Sequence, residues 1–265
     1  MQSDPRHWIA TLRQSHNRLA SLAQPLDADQ VSGPSYCSDW TIAQVLSHIG
    51  SGAEIALLML PDALGEGEPA GQEAFPAIWD RWNAKSPAEQ LTDGLASDEQ
   101  HVSRLEQLTD AQLAKIHLSF YGMELDAVGL VRLRLGEHAL HTWDVAVIAD
   151  PAATVSPDAV DLLVDNVAQL LAPRLGKPQE EPLVLRIRTT EPERDYLFSA
   201  GESVSMTDLR VDGAELPGSA VHEVRMPSEA LLRLAYGRLD AGHTPAEVEA
   251  DPGDLEQLRK VFPGF

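Results

Sequence analysis

The sequence predicts two domains, an all-α four-helix bundle followed by a smaller α+β domain. Four long helical patterns fill about the first 150 residues, with apolar side chains recurring every three or four positions. After the linker at 177–182, the period of the pattern changes to two, which is typical of strands. We therefore expect a helical domain over 1–176, including an extra helix at 156–175, and an α+β domain over 183–265.

The first three helical regions have recognisable boundaries. The pattern at 6–26 is followed by a Gly/Pro break, which ends the helix. Thr41 and Gln44 have the spacing of a capping box, which starts a helix that runs to about residue 64. The third region begins near residue 75 and reaches about residue 108, with a kink or break expected at Pro87. An irregular connection then fills 110–126.

The fourth helix begins near residue 127 and ends at 150–151, and its stretch 130–148 is the most informative part of the chain. Six of its residues form one helical stripe: Leu130, Leu133, Glu137, His141, Val145 and Ile148. Burying two unpaired polar groups at the centre of an apolar stripe costs about 2–7 kcal/mol each, so Glu137 and His141 need partners. Their i,i+4 spacing suits a shared divalent metal. An ordinary ion pair or a polar core contact explains the same spacing.

Other polar residues offer candidates to complete such a site. His48 lies beside the apolar stripe of its helix, and the small residues at 51–53 leave space for a pocket. A lone histidine at such a position is also explained as a satisfied core residue. Arg81 and Arg134 are candidate cations for an anionic ligand, with surface roles as the alternative.

The α+β domain is expected to contain four strands and two helices. The strands are predicted at 183–189, 194–198, 208–211 and 222–226. Pro227 and Ser228 start a helix, and a short last helix follows at 255–262.

Composition excludes several classes of partner and compartment. The chain has 41 acidic and 20 basic residues, a formal net charge of −21, which repels nucleic acid and anionic membrane surfaces. Its single cysteine, Cys37, allows neither an internal disulfide nor a zinc cluster of thiolates. We find no signal-like run at the N-terminus and no apolar stretch of membrane-spanning length, and therefore expect a cytoplasmic protein.

Several segments resemble the actinobacterial mycothiol-dependent maleylpyruvate isomerase family. They are Trp-Thr-Ile-Ala-Gln-Val-Leu-Ser-His at 40–48, Arg-Trp-Asn-Ala-Lys-Ser-Pro at 81–87 and Glu-His-Ala-Leu-His-Thr-Trp-Asp at 137–144. A weaker pattern over 183–238 resembles the C-terminal domain of the family. The resemblance implies that the first domain is a DinB-like metal-binding bundle and that the second is sterol-carrier-protein-like.

The resemblance also implies a metal site. His48, Glu137 and His141 match the three ligand positions of the family, and two imidazoles with one carboxylate leave a coordination position open, as in catalytic sites. Zinc suits these ligands best, although nickel and ferrous iron accept them too. The open position would take water or the thiol of mycothiol. Asp144 and Trp143 are expected to support a ligand histidine or to line the pocket, with a plain surface aspartate as the alternative for Asp144.

The implied reaction is addition of a mycothiol thiolate to the cis double bond of maleylpyruvate, followed by rotation and elimination to fumarylpyruvate. The substrate is a dianion, for which Arg81 and Arg238 are the candidate cations. Thiol transfer to another small electrophile fits the same site. Two alternatives remain, namely a zinc metallohydrolase that uses a metal-bound hydroxide, and a non-enzymatic module that binds a metal and an apolar ligand.

Overall fold

The computed structural model describes residues 4–67, 71–211 and 221–264, and it divides the chain into two compact units. The first unit is Met1–Ala153 and the second is Thr154–Phe265. The first is helical apart from one small hairpin, and the second contains a four-stranded sheet. The predicted order, a helical region followed by an α+β region, is therefore confirmed.

The first unit is built from seven helices and one β-hairpin among the described residues. Their bounds are α1 Pro5–Ala23, α2 Ala28–Val31, α3 Ile42–Ala63, α4 Phe75–Asn83, α5 Pro87–Glu106, α6 Asp110–Leu113, β1 Leu118–Phe120, β2 Met123–Leu125 and α7 Ala127–Ala149. A short 3₁₀ turn, Gln72–Ala74, precedes α4. Strands β1 and β2 pair antiparallel.

Capping side chains fix where the helices begin. The Thr41 hydroxyl accepts a hydrogen bond from the Gln44 amide at 3.2 Å, and the Gln44 side-chain oxygen accepts from the Thr41 amide at 2.8 Å. The predicted capping box of α3 is therefore confirmed. Ser86 caps α5 in the same way. The third helical region is thus two helices, because Pro87 at the first turn of α5 cannot continue α4.

The four long helices contact one another in a closed cycle. Helix α3 packs on α5, α5 on α1, α1 on α7 and α7 on α3. Helix α7 is the most deeply buried of the four, since it buries residues around most of its circumference. The predicted apolar stripe is correct only in part, because Leu133 is half-buried and Ile148, in the last turn, is 45% exposed.

Two further expectations for this unit are corrected. The connection at 110–126 is ordered, as α6 and the β1–β2 hairpin. Helix α3 is, among the described residues, long and apolar enough to span a membrane by composition, contrary to the expectation that no apolar stretch has this length. More than half of its most apolar window is buried within the protein, as in the core helix of a folded domain.

The second unit combines helices with a four-stranded sheet. Its elements are α8 Pro157–Asn166, a π-helical segment Val167–Leu171, α9 Ala172–Leu175, β3 Leu183–Thr190, β4 Arg194–Ala200, β5 Val204–Asp208, β6 His222–Pro227, α10 Ser228–Ala235, a 3₁₀ turn Ala241–His243 and α11 Pro252–Val261. The strand order is β5-β4-β3-β6, with β6 parallel to β3 and the other pairs antiparallel.

The predicted strand at 208–211 and the predicted domain boundary both shift. The third strand of the sheet is β5, which ends at Asp208, where the predicted strand began. The helix expected at 156–175 belongs to the second unit rather than to the bundle, because α8 packs on α10 and the segment Val167–Leu171 packs on β5. The boundary therefore lies between Ala153 and Thr154 rather than at 177–182.

Candidate metal centre

Three of the predicted site residues meet at the α3–α7 contact. His48 projects from α3, and Glu137 and His141 project from consecutive turns of α7. Glu137 Oε2 lies 3.2 Å from His48 Nε2 and 3.6 Å from His141 Nε2. One potential ligand atom of each residue lies within 4.8 Å of the other two. We call these three residues the triad.

The triad opens toward solvent on one side. The side chains of His48 and Glu137 are 37% and 46% exposed, whereas that of His141 is 8% exposed. The buried His141 is therefore held within the bundle, while the side chains of His48 and Glu137 are partly accessible to solvent. Such an arrangement leaves room for a further ligand beside the three protein groups, which a closed structural site does not.

Asp144 fixes the orientation of His141. Its Oδ2 lies 2.8 Å from His141 Nδ1, so this nitrogen carries the proton that it donates and Nε2 faces Glu137. The thiol of Cys37 donates to the same Asp144 oxygen at 3.2 Å. Asp144 is fully buried. A carboxylate behind a ligand histidine holds its ring and increases its basicity, a common feature of metal sites.

Trp40 covers both histidines of the triad. Its ring centroid lies 5.2 Å from that of His48 and 5.9 Å from that of His141, and it is nearly parallel to the His141 ring. In the sequence, Trp40 is the first residue of the segment 40–48 that resembles the family, and no role in the site was predicted for it. The available signal was its place in the sequence. Trp40 comes directly before the capping residue Thr41 and about two helical turns before His48.

The pKa values of the three triad residues depend on one another. Burial and the charge of His141 lower the pKa of His48, against a hydrogen bond with Glu137. Burial alone would lower the pKa of His141, but hydrogen bonds with Asp144, Cys37 and Glu137 raise it to about 10. Burial would raise the pKa of Glu137, but hydrogen bonds with His141 and His48 hold it well below its usual range. Glu137 is thus a carboxylate, and metal binding would replace a proton of His141.

The other predicted site residues have partners outside the triad. Arg81, on α4, forms an ion pair with Glu54 and is about half exposed. Trp143 is buried, packs edge-on against Tyr36 and donates its indole N–H to the Ala153 carbonyl at 2.8 Å.

Arg238 belongs to the second unit. It is 8% exposed and donates to the Tyr236 carbonyl at 2.9 Å. The roles predicted for Arg81, Arg238 and Trp143 stay predictions.

The first unit contains another histidine–carboxylate group that the sequence did not predict. His16, Asp98, Arg134 and His138 form a buried network, which we call the Asp98 cluster. Asp98 Oδ2 lies 2.7 Å from His16 Nδ1 and 2.8 Å from His138 Nε2, and Asp98 Oδ1 accepts from Arg134 at 2.7 Å. His138 therefore faces away from the triad, as its position next to Glu137 on the helix requires.

The donors of the triad fit a divalent metal. Two imidazole nitrogens and one carboxylate oxygen form the donor set of catalytic zinc sites, and the same set accepts nickel or ferrous iron. The hydrogen bond of His141 to Asp144 supplies the outer support that such ligands have. The fold and the triad therefore define a helical domain whose side chains can ligate a divalent metal.

Comparison with known proteins gives the family. Residues 12–146, half of the chain, match the family described as mycothiol maleylpyruvate isomerase N-terminal domain, and the chain belongs to this family. The crystal structure of the mycothiol-dependent maleylpyruvate isomerase has the same fold, with a TM-score of 0.66 and 15% sequence identity over 95% of this chain and 94% of that chain. A mutant of that enzyme gives a TM-score of 0.64 at 14% identity, over 89% of this chain and 90% of the other.

A relative with a different name is also found. A protein of Geobacillus thermodenitrificans (strain NG80-2), named "Putative metal-dependent hydrolase", is 28% identical over 121 residues. The match covers 43% of this chain and 65% of the relative, so the chain spans about two thirds of the length of that protein.

Proposed function

We propose that this protein is a metal-dependent enzyme that uses mycothiol as its thiol cofactor. Its reaction would be a cis/trans isomerisation like that of maleylpyruvate, or transfer of the thiol to a small electrophile. The observation that carries the proposal is the triad of His48, Glu137 and His141, which is half open to solvent in a chain of this family.

Each residue of the triad has a distinct part in this proposal. His48 and His141 direct their Nε2 atoms at one point, and Glu137 supplies the negative charge there. A divalent metal held by the three, for which zinc suits the donors best, would lower the pKa of a bound thiol and present it as a nucleophile. Asp144 keeps the Nδ1 proton of His141 in place, and Trp40 shields the two imidazoles.

An anionic substrate needs local positive charge in a protein whose formal net charge is −21. We propose Arg81 and Arg238 as the cations that bind the substrate, and Trp143 as support for the pocket. The ion pair of Arg81 with Glu54 is about half exposed, so a dianionic acid can compete for this guanidinium. The partners would then be mycothiol and a small dianionic or electrophilic substrate.

The same proposal extends to fold and location. We assign the closed cycle of four helices to the DinB-like four-helix bundles, and the four-stranded sheet with its helices to the sterol-carrier-protein-like domains. The acidic surface supports a cytoplasmic protein that binds neither nucleic acid nor a membrane surface.

A metallohydrolase is the second candidate. The Geobacillus relative is named as a metal-dependent hydrolase, and a site with an open coordination position also suits a bound hydroxide. A hydrolase would act without any thiol. The requirement for mycothiol therefore separates the two candidates.

Elemental analysis and titration calorimetry with mycothiol test the proposal, on wild type, His141→Ala and the control His117→Ala. The control removes an imidazole that is 73% exposed. We expect about one zinc per chain and mycothiol binding in wild type and the control, and neither in His141→Ala. Metal without thiol affinity would favour the hydrolase, and absence of metal would contradict both candidates.

A further inference from the structure

The Asp98 cluster is connected to the triad through one side chain, Arg134. Its Nη2 atom donates to Asp98 Oδ1 at 2.7 Å and also to the Ile49 carbonyl at 2.7 Å. Ile49 follows His48 directly in α3, whereas Arg134 belongs to α7 and Asp98 to α5. One buried guanidinium therefore joins three helices beside a triad residue.

The guanidinium also occupies a space that α3 leaves for it. A Cβ atom built on Gly52 would lie 2.8 Å from Arg134 Nη1, closer than a normal contact. Gly52 is one helical turn after His48, and Arg134 is about one turn before Glu137. Arg134 thus contacts α3 at two points close to His48, and any larger residue at position 52 would press on it.

Arg134 is itself held in place by the rest of the Asp98 cluster. Asp98 accepts hydrogen bonds from His16 and His138 on its other oxygen. His138 Nδ1 lies 2.8 Å from the Ser15 hydroxyl. The side chains of Asp98 and His138 are fully buried, and Arg134 is 8% exposed. The buried hydrogen bonds of the Asp98 cluster therefore fix the position of the guanidinium, whether or not a ligand is bound at the triad.

We propose that Arg134, anchored by Asp98, is a positioning residue that fixes His48 opposite Glu137 and His141. This inference rests on the proposed metal function. Glu137 and His141 share one helix, so their i,i+4 spacing sets their mutual geometry. His48 comes from a different helix, and its distance from them depends on how α3 lies against α7. Metal ligands must be held within about 0.5 Å of their productive geometry, and Arg134 supplies that constraint at the adjacent residue.

Two variants perturb Arg134 in different ways. Arg134→Met removes its hydrogen bonds and keeps an unbranched apolar stem. Gly52→Ala keeps every polar group and displaces only the guanidinium. Because alanine is favoured over glycine inside a helix by about 0.5–1 kcal/mol, Gly52→Ala separates a positioning role from a general loss of stability. Gly129→Ala is the matched control, since a Cβ there would meet Leu125 and Asp126 instead of Arg134.

The experiment is a Co²⁺ titration of the full-length chain, which reports the metal affinity and the visible absorption spectrum of the site, together with thermal unfolding. We expect Arg134→Met to weaken Co²⁺ binding by about 10–100-fold, as for other supports of metal ligands. Gly52→Ala should weaken binding less, alter the spectrum and leave the unfolding temperature no lower than in wild type. Gly129→Ala should bind Co²⁺ as wild type does.

Wild-type affinity and spectrum in Gly52→Ala, and in Arg134→Met where it folds, would overturn the positioning role while the proposed metal function stands. If Arg134→Met does not fold, Gly52→Ala decides alone. Failure of the wild type to bind Co²⁺ would instead contradict the proposed function, and the positioning role with it.

Discussion

The triad and the Asp98 cluster are composed of the same chemical groups and have different properties. Each brings two histidines and one carboxylate within 4.8 Å of one another. In the Asp98 cluster the carboxylate is fully buried and Arg134 occupies its second oxygen. In the triad the Glu137 side chain is 46% exposed, and its oxygen lies at the longer distances of 3.2 and 3.6 Å from the imidazole nitrogens.

The difference supports the proposal that the triad binds a metal and that the Asp98 cluster stabilises the fold. A divalent cation at Asp98 would lie beside a guanidinium and would replace short hydrogen bonds that already satisfy the buried groups. A cation at the triad would meet a carboxylate and two imidazole nitrogens on a side that is partly open to solvent, with space for another ligand. Ligand type alone therefore does not define a metal site. Exposure and the neighbouring charge do.

The largest expected effect distinguishes the two groups by stability. Asp98→Ala should lower the free energy of unfolding of the metal-free protein by about 3–5 kcal/mol, because it leaves a buried arginine without its carboxylate. Glu137→Ala should lower it by less than about 1 kcal/mol, since its interactions are partly exposed. Urea unfolding of both variants measures this. Equal losses of unfolding free energy would show that the triad and the Asp98 cluster contribute equally to stability, which would contradict the distinction.

A smaller effect concerns the carboxylate behind the triad. Asp144→Asn keeps the size of the side chain and removes the charge that supports His141, and we expect metal affinity to fall by about 10–100-fold. Competition with a chromophoric chelator measures the affinity. The control is Asp195→Asn, which changes a partly exposed ion pair with Arg186 on the sheet. An affinity that is equally low in both variants would argue against support from Asp144.

The most gradual effect, and the smallest for a change of one pH unit, is a pH dependence near the Asp98 cluster. Burial and the charge of Arg134 lower the pKa of His101 from 6.5 to about 3, and its Nδ1 has no hydrogen-bond partner among the described residues. The unfolded chain binds this proton at higher pH than the folded protein. Stability is therefore full above 6.5 and falls as the pH drops toward 3, by up to about 1.4 kcal/mol per pH unit from this group.

Replacement of His101 with leucine should remove that contribution. We expect the unfolding free energy of His101→Leu to fall less steeply with decreasing pH than that of wild type, when urea unfolding is repeated across this range. Parallel curves for the two proteins would mean that the pKa of His101 is the same in the folded and unfolded states.

Features set by local spacing were predictable from the sequence. The capping box at Thr41 and Gln44, the break at Pro87 and the start of α10 at Ser228 depend on neighbouring residues, and the structure contains all three. The approach of Glu137 to His141 follows from the helical repeat. Most of the strands were predicted because alternating residues face a core on one side only.

Features that depend on packing between distant segments were not predictable in this way. Asp98 and His138 come from different helices, and only the tertiary structure brings them together. A polar residue within the apolar spacing of α5, with Leu95 before Asp98 and Val102 after it, was the available signal. The predicted boundary at 177–182 differs from the division after Ala153, because the periodicity of a helix does not reveal which unit its apolar face packs on.

The number and location of bound metal ions test the central claim most directly. The measurement is zinc content per chain after equilibration with excess metal and removal of the unbound fraction, for wild type, Glu137→Gln and Asp98→Asn. We predict about one zinc in wild type and in Asp98→Asn, and none in Glu137→Gln. Zinc that remains in Glu137→Gln and is lost in Asp98→Asn would place the metal in the buried cluster and contradict the assignment of the triad.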